Sequence, residues 1–255
     1  MPPDETQRAR SWVHSRQGEL CDSLEEWEHG WIARAERYPR YFDLNLVHVA
    51  TDPGFTADEV VEFADRALAG FEHRHVGFEP IEAGERVRPG LEALGWMATR
   101  LVWMRHEESA PPGGEPLVER VPYEAAHDLR VAWTHEDFPT LDPAGFFEQA
   151  REVALARAVE VFAVHEDGVP VAFAELERAG DSAEIDSVYV HRDHRGRGLG
   201  TALTTAAIEA GSDARDLWIV AEADGRARPI YERLGVPAAW TVLDFLRLPP
   251  AGTPR

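Results

Sequence analysis

Hydrophobic and polar residues alternate along residues 183–190, and a short turn then leads into a helix-forming run. The alternation predicts a strand that ends at Val190. The run from Leu199 to Glu209 favours a helix. Between the two lies HRDHRGRG, in which arginine and glycine dominate. The pattern therefore predicts a strand, a glycine-rich turn and a helix in direct succession.

The rest of the second half supplies further elements on both sides of this segment. Before it, the patterns predict a strand over 117–121, helices over 123–135 and 143–154, and strands over 159–165 and 170–177. Glu166, Asp167 and Gly168 have the chemistry of a hairpin turn. After it come a strand over 217–221, a helix over 226–234 and a strand over 240–248. The predicted order is β-α-α-β-β-β-α-β-α-β.

The first half of the chain repeats part of the second. Val47, Val49 and Asp52 match Val188, Val190 and Asp193 at a constant spacing, and RPGLEALGW (88–96) resembles RPIYERLGV (228–236). Prolines and glycines cluster between the halves in ESAPPGGEP. We therefore predict an N-terminal half over 1–110, a linker over 111–116 and a second domain over 117–255. Chance similarity of two helix ends is the alternative.

The two halves differ most at the turn. Where the second half has RGRGLGT, the first has DPGFTADEV. Thr56 and Glu59 have the spacing of a capping box, which would satisfy that helix start with its own side chains. Asp58 and Glu59 would also repel a phosphate. We expect the first half not to bind a nucleotide.

The arginine-glycine turn has the features of an anion site. Glycine lets the backbone approach a ligand closely, and the helix that follows offers unpaired N–H groups and the positive end of its dipole. Gly196, Gly198 and Gly200 fit the dinucleotide fingerprint GxGxxG poorly, and a Walker A loop is excluded because the chain contains no lysine. A glycine-rich turn without a ligand remains the alternative.

Arg195, Gly198 and Gly200 match R/Q-x-x-G-x-G/A, and the segment resembles the acetyl-CoA-binding motif of the Gcn5-related N-acetyltransferase (GNAT) family. The resemblance covers residues 117–248 well and 30–105 faintly. It implies an α/β (α+β) fold with a mixed, mostly antiparallel sheet flanked by helices, preceded by a degenerate GNAT-like half. It also implies that acetyl-CoA serves as the co-substrate.

In the family, backbone groups of the turn hold the pyrophosphate, and the preceding strand, which splays from its neighbour, pairs with the pantetheine arm. Asp224 stands where the family usually has the asparagine that contacts this arm, and Val236 where it usually has phenylalanine. The resemblance thus implies cofactor contacts at Val188, Tyr189, Val190, Arg195, Gly196, Arg197, Gly198, Leu199, Gly200, Thr201 and Asp224.

Two catalytic residues follow from the same resemblance. Tyr231 lies in register with Ala227 and Gly235 of a family helix whose tyrosine can protonate the departing thiolate, and the first half has Leu91 at this position. Glu184 precedes Arg195 at the spacing of the family's base glutamate. Asp186, Glu175 and a chain of water molecules remain alternatives for removing the proton from the amine.

Composition narrows the class of protein. The formal net charge of −20 argues against a nucleic-acid partner, favours solubility and would attract a cationic substrate. Cys21 is the single cysteine, no metal-ligand motif occurs, and the sequence shows neither a signal peptide nor a membrane span. We therefore expect a cytoplasmic protein without a metal or a membrane partner, either a monomer or a homodimer. The replacement of lysine by arginine suggests a GC-rich bacterial source.

These observations together predict an acetyltransferase that acts on a primary amine of a small molecule. One alternative is a non-catalytic acyl-CoA-binding sensor, although a sensor would have no use for Tyr231. A second alternative is a tandem acetyltransferase similar to mycothiol synthase, which the duplicated plan alone supports.

Overall fold

The computed structural model describes residues 4–107, 117–138 and 143–249, which form two compact units. Unit 1 comprises the described residues up to Val102, Ala144–Ala150 and those from Trp240 onward. Unit 2 comprises Trp103–Pro143 and Arg151–Ala239. The predicted linker, 111–116, lies outside the described residues.

The α-helices of the described residues are α1 Glu5–Leu20, α2 Ala57–Ala67, α3 Ile81–Ala93, α4 His127–Asp137, α5 Pro143–Ala156, α6 Leu199–Gly211 and α7 Arg228–Arg233. The strands are β1 Ser23–Trp27, β2 Gly30–Arg34, β3 Leu46–Val49, β4 Arg74–Phe78, β5 Met97–Arg105, β6 Glu119–Val121, β7 Glu160–Glu166, β8 Val169–Ala179, β9 Ser182–Val190, β10 Asp216–Glu222 and β11 Ala238–Arg247. Short 3₁₀ turns occur at Phe42–Leu44, Tyr123–Ala126 and Arg192–His194.

Unit 1 is a mixed sheet with strand order β1-β2-β3-β4-β11-β5. β3 and β4 are parallel, while β11 pairs antiparallel with β4. One face of this sheet carries the apolar core under α2 and α3, to which Val47, Phe78 and Leu243 contribute fully buried side chains. Burial of this apolar area is the main force that holds the two helices on the sheet.

The strands that lie wholly in unit 2 have the order β10-β9-β8-β7-β6. β7, β8 and β9 form an antiparallel meander, and β9 and β10 are parallel. The hairpin between β7 and β8 turns at Asp167 and Gly168, both with positive φ, as the sequence predicted. α6 packs on β8 and β9, and its last residue, Gly211, leaves room for the Leu217 side chain of β10.

The predicted α/β fold with a mixed, mostly antiparallel sheet is confirmed, and the predicted order of elements in the second half is the observed order. Unit 1 repeats the strand–helix–strand–helix–strand plan of 182–247 in β3, α2, β4, α3 and β5. Unit 1 takes in two segments from within the predicted second domain of 117–255, Ala144–Ala150 and the described residues from Trp240 onward. Residues from Trp240 onward belong to unit 1, because β11 supplies hydrogen bonds to the edge of β4.

Candidate active site

The arginine-glycine turn has the backbone shape that its glycines suggested. Gly196 and Gly198 have φ of 77° and 81°, a backbone conformation that is strained in residues with a side chain. α6 begins immediately after Gly198, and no side chain of the described residues caps it. The first turn of α6, from Leu199 through Thr201, contains no acidic residue. The first N–H groups of α6 are therefore available to bind an anion.

The equivalent helix of unit 1 has the opposite arrangement. The Thr56 side chain accepts a hydrogen bond from the Glu59 N–H at 3.4 Å, and the Glu59 carboxylate accepts one from the Thr56 N–H at 2.8 Å. The predicted capping box is present. With Asp58 and Glu59 in the first turn, this helix start is already satisfied and negatively charged.

Strands β9 and β10 separate next to the turn. Their parallel pairing runs from Ser182 opposite Asp216 to Ile185 opposite Ile219. β9 then continues to Val190 and β10 to Glu222, and over the described residues these ends are not paired with each other. Ser187 has φ of 56° at an irregularity in the pairing of β9 with β8, and the bulge turns β9 at this point. Val188, Tyr189 and Val190 thus border an opening in the sheet.

Carboxylates hold the two arginines of the turn. Arg195 Nε donates to the Val190 carbonyl at 2.9 Å, and Arg195 Nη2 donates to Glu136 Oε2 at 2.6 Å. Arg197 pairs with Glu166 at 2.7 Å, and His194 lies 3.1 Å from the same carboxylate. Glu136 belongs to α4 and Glu166 to β7, so two different elements of unit 2 fix the turn.

Tyr231 lies on α7 with its side chain buried, at 4% exposure. Burial raises the pKa of its phenol above the ordinary value, and the negative charge of Asp186 raises it further. The phenol is therefore protonated at neutral pH. Leu91, its counterpart in α3, is part of the apolar core of unit 1.

Carboxylates line one face of the sheet beside these residues. Glu184 lies in register between Glu177 on β8 and Trp218 on β10, and Asp186 lies opposite Glu175. The sequence therefore placed Glu184 and Asp186 correctly on one strand face. The structure puts Glu175, a base candidate from the sequence, opposite Asp186, and it adds Glu177 opposite Glu184.

Glu175 has a strongly shifted pKa. Burial raises the pKa of Glu175 to about 7, although Arg130 opposes the shift, and the charges of Asp186 and Glu177 add to it. The Arg130 guanidinium donates to Glu175, donates to the Tyr123 carbonyl and lies 3.7 Å from the centre of the Tyr123 ring. Glu175 is thus a carboxyl group whose proton affinity suits neutral pH.

The other predicted residues occupy less distinctive positions. Asp224 lies in the exposed turn between β10 and α7. A Cβ at Gly200 would meet Ile230 and Val190 at 3.8 Å, which is ordinary contact, so Gly200 marks where α6, α7 and β9 come together. Among the described residues, no group of three or more histidine, cysteine, aspartate or glutamate side chains is arranged to hold a metal ion.

Sequence reasoning missed Arg130 and Glu136. Both belong to α4 and act on residues that follow them by 45 and 59 positions, so no local spacing marks them. Arg130 alone left a signal, because it lies one helical turn from Ala126 and from Thr134 on a buried helix face. A charged residue in that position requires a buried partner.

Comparison with known proteins supports these assignments of fold. Residues 122–236 match the model of the acetyltransferase (GNAT) family. An uncharacterised N-acetyltransferase of Methanocaldococcus jannaschii is 35% identical over 98 residues, which are 34% of this chain and 43% of that protein.

Solved structures resemble nearly the whole chain. A conserved protein of unknown function from Staphylococcus epidermidis superposes with a TM-score of 0.67 at 14% identity, over 89% of this chain and 94% of that one. A GCN5-related N-acetyltransferase from Kribbella flavida gives 0.58 at 21% identity, over 94% and 95%. At these identities the likeness concerns the fold, and it includes the N-terminal part of the chain.

Proposed function

Because this chain belongs to the GNAT acetyltransferase family through residues 122–236, we propose that it transfers an acetyl group from acetyl-CoA to a primary amine of a small molecule. The uncapped start of α6 behind the Arg195–Gly200 turn carries this proposal. The contrast with the capped helix of unit 1 supports a single cofactor site, in unit 2.

The cofactor would bind along the turn and the opening between β9 and β10. N–H groups from Arg195 to Thr201 would surround the pyrophosphate, with Gly196, Arg197, Gly198, Leu199 and Gly200 between them. The pantetheine arm would pair with Val188, Tyr189 and Val190 as an added strand, since β10 leaves this part of β9 open. Asp224 would lie near the arm in place of an amide.

The reaction joins the amine nitrogen to the thioester carbonyl carbon and breaks the bond from that carbon to sulfur. Glu184 would take the proton that the amine must lose, and Tyr231 would give a proton to the departing thiolate. The raised pKa of Tyr231 supports its role as the acid, because a phenol that ionised near neutrality could not keep its proton. Glu175 is the second candidate for the base, on account of its pKa of about 7.

Titration calorimetry with acetyl-CoA tests the cofactor site. Gly198→Val should abolish binding, since the substitution strains a backbone with φ of 81° and places side-chain atoms in front of the helix N–H groups. Gly180→Val is the matched control, because Gly180 also has positive φ but lies in the turn between β8 and β9. Retained binding by Gly198→Val would contradict the site.

An assay of free thiol release against a panel of amines then separates the candidate functions. An acetyltransferase releases CoA in the presence of a particular amine, whereas a sensor binds acetyl-CoA without turnover. Release that requires an amino sugar conjugate would favour the alternative resemblance to mycothiol synthase.

A further inference from the structure

Glu136, near the end of α4, connects this helix to the turn at Arg195 and to Tyr189 of β9. One carboxylate oxygen, Oε2, accepts from Arg195 Nη2 at 2.6 Å, and the other, Oε1, accepts from the Tyr189 hydroxyl at 2.8 Å. Burial alone would raise the pKa of Glu136, but the hydrogen bonds from Arg195 and Tyr189 lower it below its ordinary value. The carboxylate is therefore ionised and fully engaged.

The same contacts leave Arg195 little freedom. Its Nε donates to the Val190 carbonyl at 2.9 Å, and its guanidinium carbon lies 5.7 Å from the centre of the Tyr189 ring. A guanidinium that is bound at two of its nitrogens and rests on an aromatic ring has a fixed orientation. The turn that precedes Gly196 and Gly198 is thereby held from the side of α4.

Trp133 provides a second point of attachment. Its ring stacks on Tyr189 with centroids 5.9 Å apart and an interplanar angle of 19°. Trp133 and Glu136 are three residues apart and so lie on one face of α4, where both contact the end of β9. α4 is thus attached to β9 through packing and through a charged hydrogen bond.

We propose that Glu136 is a positioning residue, which sets the affinity for CoA by fixing Arg195 and, with it, the turn whose N–H groups would surround the pyrophosphate. This proposal rests on the proposed function. Simple electrostatics predicts the reverse effect, since removing a negative charge near a phosphate site should strengthen phosphate binding. The two explanations therefore differ in the sign of the change.

A double-mutant cycle on CoA affinity, measured by titration calorimetry, tests the proposal. Glu136→Ala should raise the dissociation constant of CoA roughly tenfold, since a charged hydrogen bond that orients the ligand's partner is lost. Glu136→Gln, which keeps an acceptor oxygen, should give a smaller increase. In an Arg195→Ala background, Glu136→Ala should change the constant less than about twofold, because its effect passes through Arg195.

Glu124→Ala is the matched control. Glu124 pairs with Arg151 at 2.6 Å on the surface of the same unit and, among the described residues, forms no hydrogen bond or ion pair with Arg195 or Tyr189, so its loss should leave CoA affinity unchanged. Equal losses in both Arg195 backgrounds would show a merely structural role for Glu136, and unchanged or tighter binding by Glu136→Ala would also overturn the proposal. Failure of the unmodified protein to bind CoA would instead contradict the proposed function and this inference together.

Discussion

Tyr231 and Leu91 occupy equivalent positions in the two halves of the chain, but their side chains have different environments. In unit 2 a buried phenol keeps its proton near the charge of Asp186, whereas in unit 1 Leu91 fills a core. A Tyr231→Phe variant keeps the packing of the ring and removes only the proton donor.

We expect Tyr231→Phe to lower kcat by roughly a hundredfold or more, while the affinity for acetyl-CoA stays the same, because proton transfer contributes to the chemical step alone. Steady-state rates and titration calorimetry on the same preparation measure the two quantities. Wild-type turnover by this variant would remove Tyr231 as the acid.

Glu184 and Glu175 compete for the role of base, and their variants distinguish them. With Glu184 as the base, Glu184→Gln should lower kcat/KM by about a hundredfold. With Glu175 as the base, kcat/KM of the unmodified protein should rise with pH up to about 7, where the Glu175 carboxyl loses its proton. Glu175→Gln should then lower kcat/KM, and its residual activity should no longer rise toward pH 7. This result would assign the role of general base to Glu175.

Among the elements, β4 and β11 are joined by a buried ion pair in addition to their backbone hydrogen bonds. His75 Nε2 lies 2.7 Å from Asp244 Oδ2, and His75 Nδ1 donates to the Phe42 carbonyl at 3.0 Å. Burial lowers the pKa of His75, but the charge of Asp244 and these hydrogen bonds outweigh it and raise the pKa to about 9.

This pair should make the stability of unit 1 depend on pH. Because the folded pKa lies above the ordinary value of 6.5, the contribution is complete below that value and is lost as the pH rises toward 9. We expect a free energy of unfolding that falls by roughly 3 kcal/mol across this range, on top of other titrations. Urea unfolding at pH 6 and pH 9 measures the fall.

Asp244→Asn provides the comparison for that measurement. The variant removes the negative charge that holds the proton on His75, so its unfolding free energy should be lower at pH 6 and should change less with pH. An unchanged pH dependence in the variant would assign the effect to other groups.

Local patterns predicted the elements wherever the information was local. The hairpin at Asp167 and Gly168, the capping box at Thr56 and the start of α6 at Leu199 depend on residues within one turn of each other, and the structure has all three. The bulge at Ser187 was not predictable, because no glycine or proline marks it. α1 was missed as well, since its sequence is mostly polar.

Partners that are distant in the sequence were beyond such patterns. The predicted cofactor turn was located from its glycines, but the carboxylates of Glu136 and Glu166 that hold it come from other elements. Tyr189 was assigned through its backbone, whereas its side chain takes part in the contact with Glu136. The residue types predicted where the turn lies, and only the fold shows which side chains hold it.

At the scale of the whole molecule, β11 is a strand from the end of the described chain that belongs to the N-terminal unit. Leu243 and Phe245 of β11 are fully buried in the core of unit 1, although they follow all of unit 2 in the sequence. None of the described helices combines the length and apolar character that a membrane crossing would require.

A chain that ends at Pro237 should therefore lose stability in unit 1. The truncation removes the core side chains of Leu243 and Phe245 together with the backbone partner of β4, and substitution of one such side chain by alanine alone costs about 2–5 kcal/mol. Hydrogen exchange in Arg74–Phe78 should become much faster than in a chain that ends at Arg247, which keeps β11. Equal protection in the two chains would show that unit 1 does not depend on β11.

The position of β11 also has a consequence for how the protein is made. A ribosome synthesises β1 to β4 first, and domains that are complete fold as they emerge. Here β4 keeps an open edge, and a gap remains where Leu243 and Phe245 belong, until residues 238–247 have been synthesised. Such an edge can pair with another nascent chain. Unit 1 thus starts to be translated before unit 2 but is completed after it, so the open edge of β4 persists while unit 2 is synthesised.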